Sequence, residues 1–136
     1  MLDTNVVLDW LLFDDPSSRP FATAIARRQV RWVASAAMRS ELVEVLRRGL
    51  AATRDADIAV LLAVWDAHAD LVAAPPRLPG AAPLQCSDPD DQKFLDLAHA
   101  EGARWLLSRD RAVLKLARRA AGFGITITAP ERWLPP

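Results

Sequence analysis

The chain alternates short apolar segments with helical ones, and this rhythm constrains its fold more than any other feature. After a very short opening strand that closes at Asp3, strand-like segments are expected at residues 30–34, 70–74, 104–108 and 125–128. The apolar stretch 6–13 reads as a helix after a turn, and further helices are expected at 19–28, 36–50, 55–67 with Asp55 as cap, and 110–121. The clearest helix follows Ser87-Asp88-Pro89, where a capping residue precedes a first-turn proline, and it should run to Glu101 and stop at Gly102. Strands separated by single helices pair in parallel through right-handed crossovers, with helices on both sheet faces. An α/β fold is expected, a three-layer α/β/α sandwich whose ligand site lies at the carboxyl ends of the strands.

The chain's 136 residues, 51% of them hydrophobic, suit one domain with a real core, and no repeat or linker divides them. A single domain over residues 1–136 is expected. The segment 75–85, with four prolines, reads as a loop that could overhang the site. Cys86 is the only cysteine and there are two histidines, so neither an internal disulfide nor a Cys/His zinc pattern can form. Any metal must be held by oxygen. Basic and acidic residues both total 17, so a nucleic-acid partner has to be argued from a local site rather than from net charge. The longest apolar runs, such as 58–65, are too short to cross a bilayer, and the start lacks a signal pattern. A cytoplasmic protein without membrane association is expected.

The acidic residues supply the chemistry. Asp3 closes the first strand and Asp110 follows the strand at 104–108, so both should stand at the carboxyl edge of the sheet. Each has an ordinary reading as a helix cap. Asp88, Asp90 and Asp91 crowd a helix start, where the helix dipole favours negative charge whatever their function. Glu41 is more telling, because it lies beside the inward stripe Met38, Leu42, Val45, Leu46 and Gly49, whereas Glu44 points to solvent. Carboxylates gathered on one edge repel by roughly 4 kcal/mol per pair at ~4 Å and an effective dielectric of ~20. Either some stay protonated or a cation sits among them, and a hard divalent ion suits an all-oxygen site.

The residues carrying these acids resemble the motifs of the PIN-domain family, in the branch of toxin components of bacterial toxin–antitoxin systems. Leu2-Asp3-Thr4-Asn5-Val6-Val7 is similar to the family's opening motif, and Ser40-Glu41-Leu42-Val43-Glu44-Val45-Leu46 to the segment with the second acid. Asp88-Pro89-Asp90-Asp91-Gln92-Lys93-Phe94-Leu95-Asp96-Leu97-Ala98 resembles the third motif, and Ala103-Arg104-Trp105-Leu106-Leu107-Ser108-Arg109-Asp110 the fourth. The resemblance covers nearly the whole chain. It implies strand order 3-2-1-4-5, with Asp3, Glu41, Asp91 and Asp110 as catalytic and metal-holding acids. Asn5 and Ser108 would be polar supports, with Asp88 and Asp90 as further members. Family members carry several strand residues before the first Asp, whereas only Met1 and Leu2 precede Asp3. The first strand is therefore expected to be short, the natural start to lie upstream or Met1 to replace an apolar residue, and Asp3 to be less firmly held.

The function that follows is a Mg²⁺- or Mn²⁺-dependent endoribonuclease leaving 5′-phosphate and 3′-hydroxyl ends. The resemblance also implies a separately encoded antitoxin and a homodimer as partners. Arg109 and Arg111, flanking Asp110, are the arginines best placed to meet phosphate, while Arg27-Arg28, Arg47-Arg48 and Arg118-Arg119 sit near helix ends where the dipole favours cations. The tryptophans, Trp105 especially, read as core. The alternative reading is a catalytically weak or inactive PIN-like module that binds RNA or protein. A phosphoaspartate enzyme fits less well, since Asn5 stands where a phosphatase of that kind needs a second Asp, and Lys93 and Lys115 lie within helices rather than after a late strand.

Overall fold

The computed structural model of the protein describes residues 1–49, 55–76 and 82–136, so part of the expected loop at 75–85 lies outside the described residues. In chain order the elements are α1 (Thr4–Leu11), α2 (Arg19–Ala26), β1 (Trp32–Ala34), α3 (Ala36–Gly49), α4 (Asp55–His68), β2 (Ala69–Leu71), α5 (Gln92–Ala100), β3 (Trp105–Leu107), α6 (Arg111–Leu114), α7 (Ala117–Ala121) and β4 (Thr126–Thr128). Single turns of 3₁₀ helix occupy Pro16–Ser18, Pro89–Asp91 and Pro130–Arg132.

Local chemistry accounts for most boundaries. The Asp88 carboxylate accepts from the Asp90 backbone N–H at 3.0 Å, and Pro89 opens the turn that leads into α5. That helix stops where Gly102 takes φ +59°, a left-handed conformation that a side chain disfavours. α4 begins at Asp55, the residue expected to cap it, whose side chain lies outside the described residues. The single helix expected at 110–121 is instead two short ones, because the chain tightens between them into a 3₁₀-type turn from the Leu116 N–H to the Val113 carbonyl at 3.0 Å.

β1 and β2 pair in parallel, with Trp32 opposite Ala69, and β3 and β4 pair in parallel, with Trp105 opposite Thr126. The opening segment contributes one bridge, Leu2 to Leu107, flanked by the Leu107 N–H donating to Met1 and the Asp3 N–H donating to Leu107, both at 2.9 Å. The chain is thus mixed helix and parallel strand, and the pairings β1–β2 and Leu2–β3–β4 are present. The five-strand order is not complete among the described residues, because no ladder joins the opening segment to β1. α1 starts at Thr4, so little strand is left to pair. A cavity of about 360 Å³ lies between the two halves, lined by Met1, Leu2, Trp32, Val33, Trp105 and Trp133.

The core gathers around these strands. Val6, Leu95, Ala98, Leu106, Val113 and Ala120 are fully buried, and α3 buries Met38, Leu42 and Leu46 at the spacing of one helix face. Trp32 packs 5.5 Å from both Trp10 and Trp65, tying α1, β1 and α4 together. Trp105 is half-buried against Trp133 rather than fully enclosed. Helix α4 is apolar on most sides; Ile58, Leu61 and Trp65 turn inward while Val60 faces solvent.

Candidate metal centre

The acids collect at the carboxyl ends of the strands. Asp3 follows the Leu2 bridge and stands before α1, yet its side chain makes no capping bond to that helix. Its Oδ2 instead accepts from the buried Ser108 hydroxyl at 2.6 Å. The Ser108 oxygen in turn accepts from the Asp110 N–H at 3.0 Å, so one hydroxyl sets the spacing of two acids. With its backbone bound to β3 and its carboxylate bound to Ser108, Asp3 is held at both ends despite the short first strand.

Asp110 and Asp88 act as helix caps, each through Oδ1: Asp110 accepts from the Ala112 N–H at 2.7 Å, and Asp88 from Asp90. Capping occupies one oxygen of each and leaves the other without a cap bond. Asp91 caps nothing, and its Oδ2 is buried without a hydrogen-bond partner. One carboxylate oxygen each from Asp88, Asp91 and Asp110 lie within 4.8 Å of one another. Glu41 stands outside this trio, half-buried on α3, where its two oxygens accept from the Thr4 hydroxyl and from Lys93 Nζ, the latter at 2.8 Å.

Charge crowding shows in the acidities. Burial, then the charges of Asp3, Asp110, Asp88 and Glu41, push the Asp91 carboxyl up to about 7. Burial also raises Asp3 above the usual carboxylate range, with the Ser108 hydrogen bond opposing and Glu41 and Asp110 adding to the rise. Cys86 lies nearby, but burial and the same aspartates push its thiol up and keep it protonated.

An orphaned buried oxygen, an all-oxygen donor set and three converging carboxylates are what a hard divalent cation needs. Asp88, Asp91 and Asp110 could bind one directly, with Asp3 near enough for its charge to act on Asp91, and the residues fit Mg²⁺ or Mn²⁺.

The remaining candidates fall around this centre. Asn5 is exposed on the first turn of α1, and the Asp90 side chain is exposed beside the trio. Arg109 is bound to Asp9 at 2.7 Å, to Glu131 and to Ser17 at 2.9 Å, and to none of the candidate acids. Arg111 is exposed. The pairs at 27–28, 47–48 and 118–119 are exposed, and Arg48 sits 3.5 Å from Glu44 one turn earlier. Sequence reasoning passes over three participants. Thr4 and Lys93 hold Glu41, and Gln92 pins the strand-to-helix approach by accepting from the Cys86 N–H at 2.7 Å and donating to the Leu84 carbonyl at 2.6 Å. The only signal for the first two is adjacency, one residue after Asp3 and two after Asp91.

The acidities give a testable pH dependence. A carboxyl whose pKa rises on folding binds its proton more tightly in the folded chain, so rising pH between the ordinary 3.8 and about 7 removes stability. A bound divalent cation cancels that loss. The gain in Tm on replacing EDTA by Mg²⁺ should therefore grow from about pH 4 to about pH 7 and level off above. The Met1 ammonium, which burial lowers to about 5, titrates in the opposite sense, stabilising as pH rises, but it does so in both solutions and drops out of the difference. A gain that stays constant across this window would contradict the crowding at Asp91.

Neither a characterised protein nor a solved structure matches the chain. The family model for the PIN domain matches residues 1–112, a span that includes Asp3, Glu41, Asp88, Asp91 and Asp110. By that match the chain belongs to the PIN-domain family.

Proposed function

We propose that the protein is a metal-dependent endoribonuclease that hydrolyses RNA phosphodiester bonds to 5′-phosphate and 3′-hydroxyl ends. One observation carries the reading: one oxygen each of Asp88, Asp91 and Asp110 lie within 4.8 Å of one another, and Asp91 Oδ2 is buried with no hydrogen-bond partner. Family membership supports a nuclease, and the donor set supports Mg²⁺ or Mn²⁺.

In this mechanism Asp3, Asp91 and Asp110 would hold the ion, directly or through water, with Asp88 as a further ligand. Such an ion neutralises developing charge on a phosphodiester and acidifies water. Ser108 fixes Asp3 and Asp110 in register. Glu41 orients the attacking water, since each of its oxygens keeps a lone pair beyond those given to Thr4 and Lys93. Burial of Asp3 and Asp91 lowers the local dielectric and strengthens each of these interactions. The motif resemblance further supports one domain over residues 1–136, the five-strand order 3-2-1-4-5, a cytoplasmic toxin role, a separately encoded antitoxin and a homodimer.

End-labelled single-stranded RNA, incubated with the full chain in Mg²⁺, Mn²⁺ or EDTA, tests the central claim. The expected result is cleavage that requires metal, leaves 5′-phosphates and disappears in Asp3→Ala and Asp110→Ala proteins whose circular dichroism matches the parent. Cleavage that survives EDTA, or that both variants retain, would sink it.

A further inference from the structure

The acidic site is asymmetric. At one end Asp88, Asp91 and Asp110 converge with a buried oxygen left over. At the other end Glu41 is already neutralised by Lys93, whose Nζ stands 2.8 Å from Oε1. That ammonium also donates to the Asp90 carbonyl at 2.6 Å and lies 5.2 Å from the centre of the Phe94 ring. The Thr4 hydroxyl takes the second Glu41 oxygen. The Lys93 side chain is 22% exposed, so it is not a solvated lysine that meets a carboxylate by chance.

We propose that Lys93 is the chain's own cation at the Glu41 end of the site, which therefore takes one divalent ion, between Asp88, Asp91 and Asp110, rather than two. Where two ions serve phosphodiester hydrolysis they stand about 3.5–4 Å apart and share the acids between them. A second ion at Glu41 would have to displace an ammonium anchored by a carboxylate and a carbonyl, then leave that ammonium half-buried next to a double positive charge. An ammonium has three protons to donate, and two are used here. The third is available to a non-bridging phosphate oxygen, the task a second metal would perform. Lys93 therefore supplies charge where the near-zero net charge of the chain supplies none.

This inference rests on the metal-binding part of the proposed function but not on RNA cleavage, and its test counts ions. Full-length protein is titrated with Mn²⁺ alone, and free Mn²⁺ is followed by electron paramagnetic resonance, for the parent, Lys93→Met and Lys93→Arg. The parent and Lys93→Arg should bind one Mn²⁺ per chain. Lys93→Met should bind two, the second at least tenfold tighter than any second site in the parent. Should the Met variant fail to fold, Lys93→Gln removes the charge while keeping a polar head, with the same count of two expected. Two ions in the parent would overturn the proposal, and so would a single ion in a folded Met or Gln variant. A parent that binds one Mn²⁺ yet leaves RNA intact would remove the nuclease reading and leave Lys93 in place, whereas a parent that binds none would overturn both.

Discussion

Asp91→Asn will cost the protein nearly all of its RNA cleavage while raising its Tm in EDTA near pH 8. The substitution keeps the size of the side chain and removes its charge. The loss of cleavage follows from metal chemistry: a held divalent ion contributes several kcal/mol of transition-state stabilisation. At ~1.4 kcal/mol per tenfold, cleavage should fall by about a thousandfold. The gain in stability follows from the same charge seen from the folded state. The Asp91 carboxylate resists ionisation up to about 7 because burial and four acidic neighbours oppose its charge. Above that pH the metal-free protein carries the strain in full. Solvent reaches part of the side chain and screens the repulsion, so the relief is on the order of 1 kcal/mol, or about 3 °C for a chain of this size. A site built to hold a cation is destabilised without it. Differential scanning fluorimetry in EDTA and a cleavage time course in Mn²⁺ read the two effects separately. A variant that loses stability but keeps cutting would show that Asp91 is a structural residue and not a metal ligand.

Trp32→Ala will be among the most destabilising single changes in the chain. Trp32 is 2% exposed on β1, pairs with Ala69 across the ladder and packs its ring 5.5 Å from both Trp10 and Trp65. Trp65 also lies under the Arg39 guanidinium, whose carbon is 5.8 Å from the ring centre. Truncating a buried tryptophan to alanine costs about 3–5 kcal/mol through lost transfer energy and the cavity left behind, and paired aromatics add to what is lost. Domains of this kind are stable by only about 5–15 kcal/mol, so the urea midpoint should drop by a large fraction. Leu71→Ser, at a residue 62% exposed on the neighbouring strand, should stay within about 0.5 kcal/mol of the parent. Equal effects of the two changes would mean that the tryptophan cluster does not hold β1 and β2 to the rest of the core.

Short-range signals carried much of the architecture. The cap and proline at Asp88-Pro89, the stop at Gly102, and the stripe of Met38, Leu42 and Leu46 act over a few residues, where backbone geometry and helical period leave few choices. The alternation of strand and helix likewise implies parallel pairing, and β1–β2 and β3–β4 are parallel. Extents were less legible. The strands came out at three residues each, and the helix expected at 110–121 split at Leu116, because length depends on what neighbouring elements cover. The join between the opening segment and β1 depends on how far Leu2 can pair before α1 begins.

The linear order offers Asp3, Asp91 and Asp110 as candidates because each sits beside a predictable strand or helix end, and Glu41 because it lies beside the inward stripe of α3. Their states could not. Asp91 holds its proton to about 7 through burial and then through the fields of residues up to 88 positions away in the chain, and Arg109 spends its guanidinium on Asp9, Glu131 and Ser17. Lys93 and Glu41, 52 residues apart, meet only once α3 and α5 pack together. Propensity and periodicity act along the chain and can be read from neighbours in sequence. Coulomb interaction and desolvation act through space, so which acid keeps its proton, which cation faces it and which oxygen is left unpartnered are decided by packing.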